Sequence, residues 1–396
     1  MHIDQFVERH SESISIRRDL VLRARNGKVC PDAAGALASI LRDIESSVDA
    51  DGNLHVEIAG NRVATRADYE RTELARDIRL AESGMDDVVR DVMEQYPEIS
   101  SESYMVAERL GGRQFEACFT DRDGTVNGYS NRYSTSVQPA HVALALDRYA
   151  LAACRHFVIL TAGPLEGPGI LDLSVLPPST AVFAASKGRQ IVLADGARRE
   201  AHLSNEQRDA LQTLAAAIET LYETERFAPF RYVGSGLQAK FGECSVAYQD
   251  WQSNCPQALS QAFRAAVEEQ IRRIDADGRI FHLEDGGRDL EISALGADAA
   301  SFDKGDGLRF VAEHGGIDLS GRSILVCGDT ASDLPMVRCA DESGASLETV
   351  FVTRNDDLAA RVRAIDPDAL CVTRYESLVL GMYLAVMEET HEFMVV

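Results

Sequence analysis

The stretch FTDRDGTVNGY, residues 119–129, decides how this chain is read. It sets Asp121 and Asp123 on either side of Arg122, then turns the chain through Gly124 and Thr125. Phe115, Ala117, Cys118 and Phe119 come just before, a mostly apolar run that reads as a short buried parallel strand ending where the aspartates begin. In open α/β sheets ligands bind at the carboxyl ends of strands, so one aspartate is placed to attack and its neighbour to shuttle protons.

Three further stretches repeat that layout. VILTAG (158–163) is an apolar strand ending in Thr161, whose hydroxyl, with the following N–H of Ala162, suits a phosphate oxygen. FDKGDGL (302–308) puts Lys304 before a glycine at a helix start, where a cation neutralises phosphate charge. ILVCGDTASDLPMV (324–337) is a buried strand followed by Asp329, Ser332 and Asp333. Each polar group follows an apolar run, so the four stretches are expected to meet at one edge of a parallel sheet. Two carboxylates 4 Å apart repel by about 4 kcal/mol at an effective dielectric of ~20, so Asp121, Asp123, Asp329 and Asp333 need a cation between them. All-oxygen ligands with no nearby His or Cys point to a hard ion, and Mg²⁺, which also accepts water and phosphate, is the expected one.

Working outward, residues 1–112 carry helical periodicity and no strong strand pattern. Leu74, Ile78, Met85, Val88, Val92 and Met93, for example, recur with charges between them. They read as a helical bundle, either a module for self-association or partner binding or a packed support. From 113 the texture alternates strand and helix, in FEACFT, HFVILTAG, TAVFAAS and SILVCGDT, which predicts a doubly wound parallel sheet built from 113–199 and 289–396. Between 200 and 288, two long helix patterns alternate with SVAYQDW and RIFHLED, an inserted αβ unit that would form a lid; strands of the main sheet are expected to resume at DLEISAL.

Across 396 residues the net charge is −23, which argues against nucleic acid as a partner. No run approaches the ~20 apolar residues of a membrane span, and the first residues lack a secretory layout. The eight cysteines are scattered without metal-type spacing, as expected of reduced thiols in a cytoplasmic protein.

DxDGT at 121–125, Thr161, Lys304 and GDxxSD at 328–333 occur in the order of the four motifs of the haloacid dehalogenase superfamily, which the chain resembles. The resemblance implies that Asp121 is the nucleophile and forms an aspartyl-phosphate, while Asp123 protonates the leaving oxygen and later activates water. It also implies Mg²⁺ held by Asp121, the backbone carbonyl of Asp123, and Asp329, with Asp333 binding through water or orienting the others.

Within the superfamily, TAGPLEGPGILDL, FAASKGR, APFRYVGSGLQAKFG and CGDTASDLPMVR resemble trehalose-6-phosphate phosphatases of the nematode type, over nearly all of 115–340. That implies a sugar phosphate as substrate, trehalose 6-phosphate, and a cap at 200–288 that recognises the disaccharide. Where bacterial members carry Glu-x-Lys, this chain has Gln238, Ala239 and Lys240. Lys240 carries over, whereas Gln238 keeps hydrogen-bonding reach without charge. Glu243 and Ser245 follow on the cap as candidates for hydroxyl contacts, and Arg189, near the cap hinge, reaches substrate or forms a surface salt bridge. Trp251 stacks on a sugar or packs in a core or interface. Alternatives that keep the motifs are a phosphatase of sucrose 6-phosphate or glucosylglycerol phosphate, a phosphomutase, and a non-catalytic phosphosugar-binding scaffold.

Overall fold

The computed structural model describes residues 3–58, 61–250, 255–296 and 301–387, so Trp251 lies outside the described residues. The chain begins with α1 (Ile3–Ala24) and α2 (Pro31–Glu45), a hairpin of β1 (Asn53–Ile58) and β2 (Asn61–Arg66), then α3 (Asp68–Ser83), α4 (Met85–Gln95) and α5 (Pro97–Leu110). Proline occupies the first turn of α2 and of α5, where its missing N–H costs no helical hydrogen bond. The helices are as expected of this region, and the hairpin is an addition to them. Leu54, Val56 and Ile58 alternate with polar residues at strand spacing, a signal too short to stand out beside the long helices.

The main sheet starts with β3 (Phe115–Thr120), followed by α6 (Ala140–Ala153), β4 (Cys154–Leu160), α7 (Ile170–Leu173), β5 (Val182–Ala185), β6 (Gln190–Val192) and β7 (Arg198–Glu200). Next come α8 (Asn205–Tyr222), β8 (Leu237–Lys240), β9 (Glu243–Ala247), α9 (Gln257–Ile274), β10 (Phe281–Asp285) and β11 (Asp289–Ala294). The chain then continues through α10 (Lys304–Gly315), β12 (Ser323–Gly328), α11 (Leu334–Glu342), β13 (Ser346–Val352), α12 (Asp356–Arg363), β14 (Leu370–Val372) and α13 (Tyr375–Ala385).

The main sheet runs in the order β14-β13-β12-β3-β4-β5-β6-β7. Pairing is parallel from β14 to β5, as a doubly wound fold requires, and β6 and β7 add an antiparallel edge. β3 is buried at five of its six positions because helices cover both faces of the sheet. Chain order reverses on either side of β3, so a crevice opens at its carboxyl end.

A second, antiparallel sheet has the order β10-β11-β9-β8 and packs its apolar face on α8 and α9. Phe230 and Phe263 stack there with ring centroids 4.2 Å apart. β11 is a correction: DLEISAL was expected to return to the main sheet, yet it pairs with β9 and β10, so the inserted unit extends through Ala294. Leu290 and Ile292 are buried in the insert's own core, and an alternating run of this kind fits either sheet equally well.

The helices before β3 share a core with one face of the main sheet. A single buried cluster runs from Phe6, Leu37 and Leu74 through Val106 to Val142, Leu325 and Tyr383. Within it the buried Arg17 donates to Asp77 at 2.6 Å, and Asp77 accepts the backbone N–H of His141 at 3.1 Å, joining α1, α3 and α6. No helix among the described residues is long and apolar enough to cross a membrane.

Candidate active site

Strand register brings the sequence motifs together. Thr120 on β3 is level with Cys327 on β12 and Ile159 on β4, so Asp121, Asp329 and Thr161 leave three adjacent strands at one edge. The N–H of Asp121 donates to Cys327 O at 3.0 Å and extends the ladder to the aspartate itself. Lys304 arrives at the first turn of α10, which is capped by Asp303 accepting the N–H groups of Gly305 and Asp306 at 2.8 and 3.0 Å. That helix start sits close against the loop 186–188, where a Cβ on Gly307 would lie 2.0 Å from the carbonyl oxygen of Lys187. Only a residue without a side chain lets the two backbones approach this closely.

The buried ammonium of Lys304 donates to Asp121 Oδ1 and Asp333 Oδ1, both at 2.5 Å. Asp333 Oδ2 accepts from the N–H groups of Asp329 and Thr330 at 3.0 and 2.9 Å, which fixes the turn after β12. Thr125 Oγ1 lies 3.3 Å from Asp121 Oδ2 and 3.2 Å from Asp329 Oδ1. Gly124, at φ +95°, permits this convergence, since a Cβ there would sit 2.1 Å from Asp329 Oδ2.

The charges do not balance. Burial raises the Asp121 carboxyl to about 7, with Lys304 opposing and Asp333 adding to the shift. Burial, then Asp121 and Asp333, raise Asp329 to about 8. Burial also penalises the Asp333 carboxylate, but Lys304 and the N–H groups around it outweigh this and hold it low. The Lys304 ammonium, disfavoured by burial, is held protonated by Asp121 and Asp333. One ammonium therefore faces three acidic groups whose ligand oxygens lie within 4.8 Å of one another. This all-oxygen, under-neutralised set fits a divalent cation.

Asp123 stands apart from that cluster. Its Oδ1 accepts from Arg122 at 2.6 Å and from Ser136 Oγ at 2.8 Å, and the buried Arg122 is itself held by Ser136 and lies over the Tyr133 ring. The Thr161 hydroxyl accepts the N–H of Gly163 at 3.0 Å, and Ala162 lies between them. Arg122, Ser136 and Tyr129 were not singled out from the sequence. The Tyr129 phenol donates to Asp329 Oδ2 at 2.6 Å, and although the residue closes the decisive stretch, no periodicity marks it.

On the insert, Gln238, Lys240, Glu243 and Ser245 share the face opposite the helices, because Gln238 pairs with Ser245 and Lys240 with Glu243. Gln238 and Ser245 line a cleft of about 1230 Å³ together with Arg288, Asp289, Arg66, Asp68, Tyr69 and Tyr129. Lys240 and Glu243 are buried beside it in an ion-pair set: Lys240 reaches Glu243 at 2.7 Å, and Lys187 reaches Glu243 at 2.7 Å and Glu291 at 3.1 Å. Burial penalises the Glu243 carboxylate, but Lys240 and Lys187 outweigh it and keep it ionised. Arg189 differs from both of its expected roles. It is buried, donates to Ala294 O at 3.2 Å and lies over Phe302, so it braces the hinge, while its neighbour Lys187 faces the insert.

Residues 118–375 match the family model described as trehalose-6-phosphate phosphatase, C-terminal. Similar chains include a trehalose-phosphatase of Brugia malayi, 33% identical over 273 residues, covering 67% of this chain and 55% of that one. Another is an alpha,alpha-trehalose-phosphate synthase (UDP-forming) 2 of Caenorhabditis elegans, 31% identical over 378 residues, covering 91% of this chain and 30% of that one. The chain thus spans under a third of that synthase's length and little over half of that phosphatase's. Among solved structures, the C-terminal domain of C. albicans trehalose-6-phosphate phosphatase is similar at a TM-score of 0.44 and 11% identity, covering 72% of this chain and 96% of that one. The matched region contains every strand-end residue of the acidic cluster, and the chain belongs to the trehalose-6-phosphate phosphatase family.

Proposed function

We propose that this protein is a Mg²⁺-dependent phosphatase that hydrolyses trehalose 6-phosphate to trehalose and inorganic phosphate. The observation that carries the reading is the convergence of Asp121, Asp329, Asp333 and Lys304 at the carboxyl end of β3. A carboxylate that must attack a dianionic ester needs positive charge around it, which Lys304 supplies in part and a bound divalent cation would complete.

In the first step an oxygen of Asp121 bonds to phosphorus as the bond to the sugar oxygen breaks, and Asp123 gives its proton to that oxygen. In the second, Asp123 takes a proton from water, the water oxygen bonds to phosphorus, and Asp121 is released with free phosphate. Arg122 and Ser136 orient the Asp123 carboxyl for both transfers. Lys304, the Thr161 hydroxyl and the Ala162 N–H bind the non-bridging oxygens. Asp121, the carbonyl of Asp123, Asp329 and Asp333 would hold Mg²⁺, which supplies charge neutralisation at the phosphoryl group. The insert, acting as a cap, would offer Gln238, Ser245, Lys240 and Glu243 to sugar hydroxyls and exclude bulk water. Its unpaired cysteines fit a cytoplasmic setting.

The test is phosphate release by the purified chain from trehalose 6-phosphate, sucrose 6-phosphate and glucosylglycerol phosphate. Trehalose 6-phosphate is expected to lead by at least about tenfold in kcat/KM, with activity lost in EDTA and restored by Mg²⁺. Asp121→Asn should abolish turnover in a folded protein. Equal rates on all three esters would replace the sugar assignment, and turnover by Asp121→Asn would remove the nucleophile.

A further inference from the structure

The strand-end cluster needs only a phosphoryl group, so the leaving sugar must be read by the walls around it. One wall of the large cleft is the polar face of the insert, at Gln238, Ser245 and Arg288. A further part of the lining comes from residues that precede the matched family region: Arg66, Asp68 and Tyr69, where the hairpin turns into α3. Asp68 and Tyr69 also line a neighbouring cleft of about 890 Å³ that includes Asp329. A ligand entering either cleft toward the acidic cluster therefore meets this corner.

The corner is anchored on the loop that serves the cluster. Asn131 Nδ2 donates to Arg66 O at 3.0 Å, and the Tyr69 phenol donates to Val137 O at 2.8 Å, next to the Ser136 that holds Asp123. Arg66 is ion-paired to Asp68, yet its buried Nε has no partner among the described residues. A donor fork, a carboxylate and an aromatic ring side by side are the groups that bind vicinal hydroxyls and the apolar face of a sugar. The cleft also exceeds the ~300–1,000 Å³ of ordinary small-ligand sites, which leaves room for a disaccharide.

We infer that Arg66 and Asp68, with Tyr69 beside them, form the second wall of the sugar site and contact hydroxyls of the disaccharide leaving group. The inference rests on the phosphatase reading above. It makes the region before residue 118 part of substrate selection.

The test uses the full chain and the ratio of kcat/KM for trehalose 6-phosphate to that for p-nitrophenyl phosphate, which shares the phosphoryl group and lacks the sugar. In Arg66→Ala and, separately, Asp68→Asn, each lost contact should lower that ratio about fivefold to tenfold, chiefly by raising KM for the sugar phosphate. The inhibition constant of trehalose itself should weaken by a similar factor. A ratio and inhibition constant equal to wild type in both variants would overturn the inference. If the wild-type protein prefers another sugar phosphate, the activity reading fails instead, and the same ratio measured with that ester decides the role of the corner.

Discussion

The phenol of Tyr129 donates to Asp329 Oδ2 at 2.6 Å, so one oxygen of a candidate metal ligand is already engaged by a residue that lines both clefts. Burial and the neighbouring Asp329 raise the phenol's pKa, which keeps it a donor at any physiological pH. Cation binding through that oxygen competes with the phenol for its electron density. Tyr129→Phe should lower the Mg²⁺ concentration for half-maximal activity about threefold to tenfold, the worth of one such hydrogen bond. A Mg²⁺ titration of both proteins checks this, and a higher requirement in the variant would show that the phenol helps to position Asp329.

Lys304 bridges Asp121 and Asp333 in a buried setting, so removing its charge leaves two carboxylates facing each other. Lys304→Met should abolish turnover and destabilise the protein by about 3–5 kcal/mol, measured by urea unfolding in EDTA. Adding Asp333→Asn should return part of that loss. If the double variant is no more stable than the single one, repulsion is not the source.

A pH effect should come from Glu70. Its carboxyl is buried, accepts from Ser130 Oγ at 2.9 Å and has a second oxygen without a partner among the described residues; burial raises it to about 7. Between the unfolded value of 4.5 and about 7 the folded chain binds more protons than the unfolded one. Stability therefore falls as pH rises through that window and stays reduced above it. Glu70→Gln should gain up to roughly 3 kcal/mol at pH ~8 and nothing near pH ~4. Thermal melts at the two pH values separate this from a pH-independent packing change.

Gly307 sets how closely α10 approaches the loop carrying Lys187. Gly307→Ala forces a Cβ into a backbone carbonyl, which should cost about 1–3 kcal/mol and displace Lys304. The expected signature is a fall in kcat for p-nitrophenyl phosphate as well as for the sugar phosphate, since the phosphoryl site itself moves. Rates that match wild type would show that the loop adjusts freely.

Much of the site was legible because each polar group follows an apolar run. That pattern marks Asp121, Thr161 and Asp329 as strand-end residues whichever strands lie side by side. Gln238, Lys240, Glu243 and Ser245 were reached through the family resemblance instead, and it is the pairing of β8 with β9 that puts them on one face of the insert. Adjacency was not legible in the same way. Nothing in DLEISAL distinguishes a strand of the insert from one of the main sheet, and only pairing with β9 decides it. Arg189 and Lys187 are two residues apart in a segment whose backbone at Ser186 and Lys187 is left-handed, so the direction of each side chain depends on a turn that composition does not reveal. The corner at Arg66, Asp68 and Tyr69 lies in a region with no catalytic pattern, and its relevance comes entirely from the fold.

The register that seats β12 beside β3 also bears on how the molecule is made. Lys304 and Asp121 are 183 positions apart, and the whole insert is synthesised between them. The insert's sheet closes through antiparallel neighbours of short separation, whereas β3 must wait for a strand that emerges long afterwards. Long-range parallel pairing is slow because loop closure precedes any reward from contact. The nested unit is thus set to fold first, and a growing chain stays without its acidic cluster until β12 docks, leaving the exposed edge of β3 as the stretch most in need of protection during synthesis.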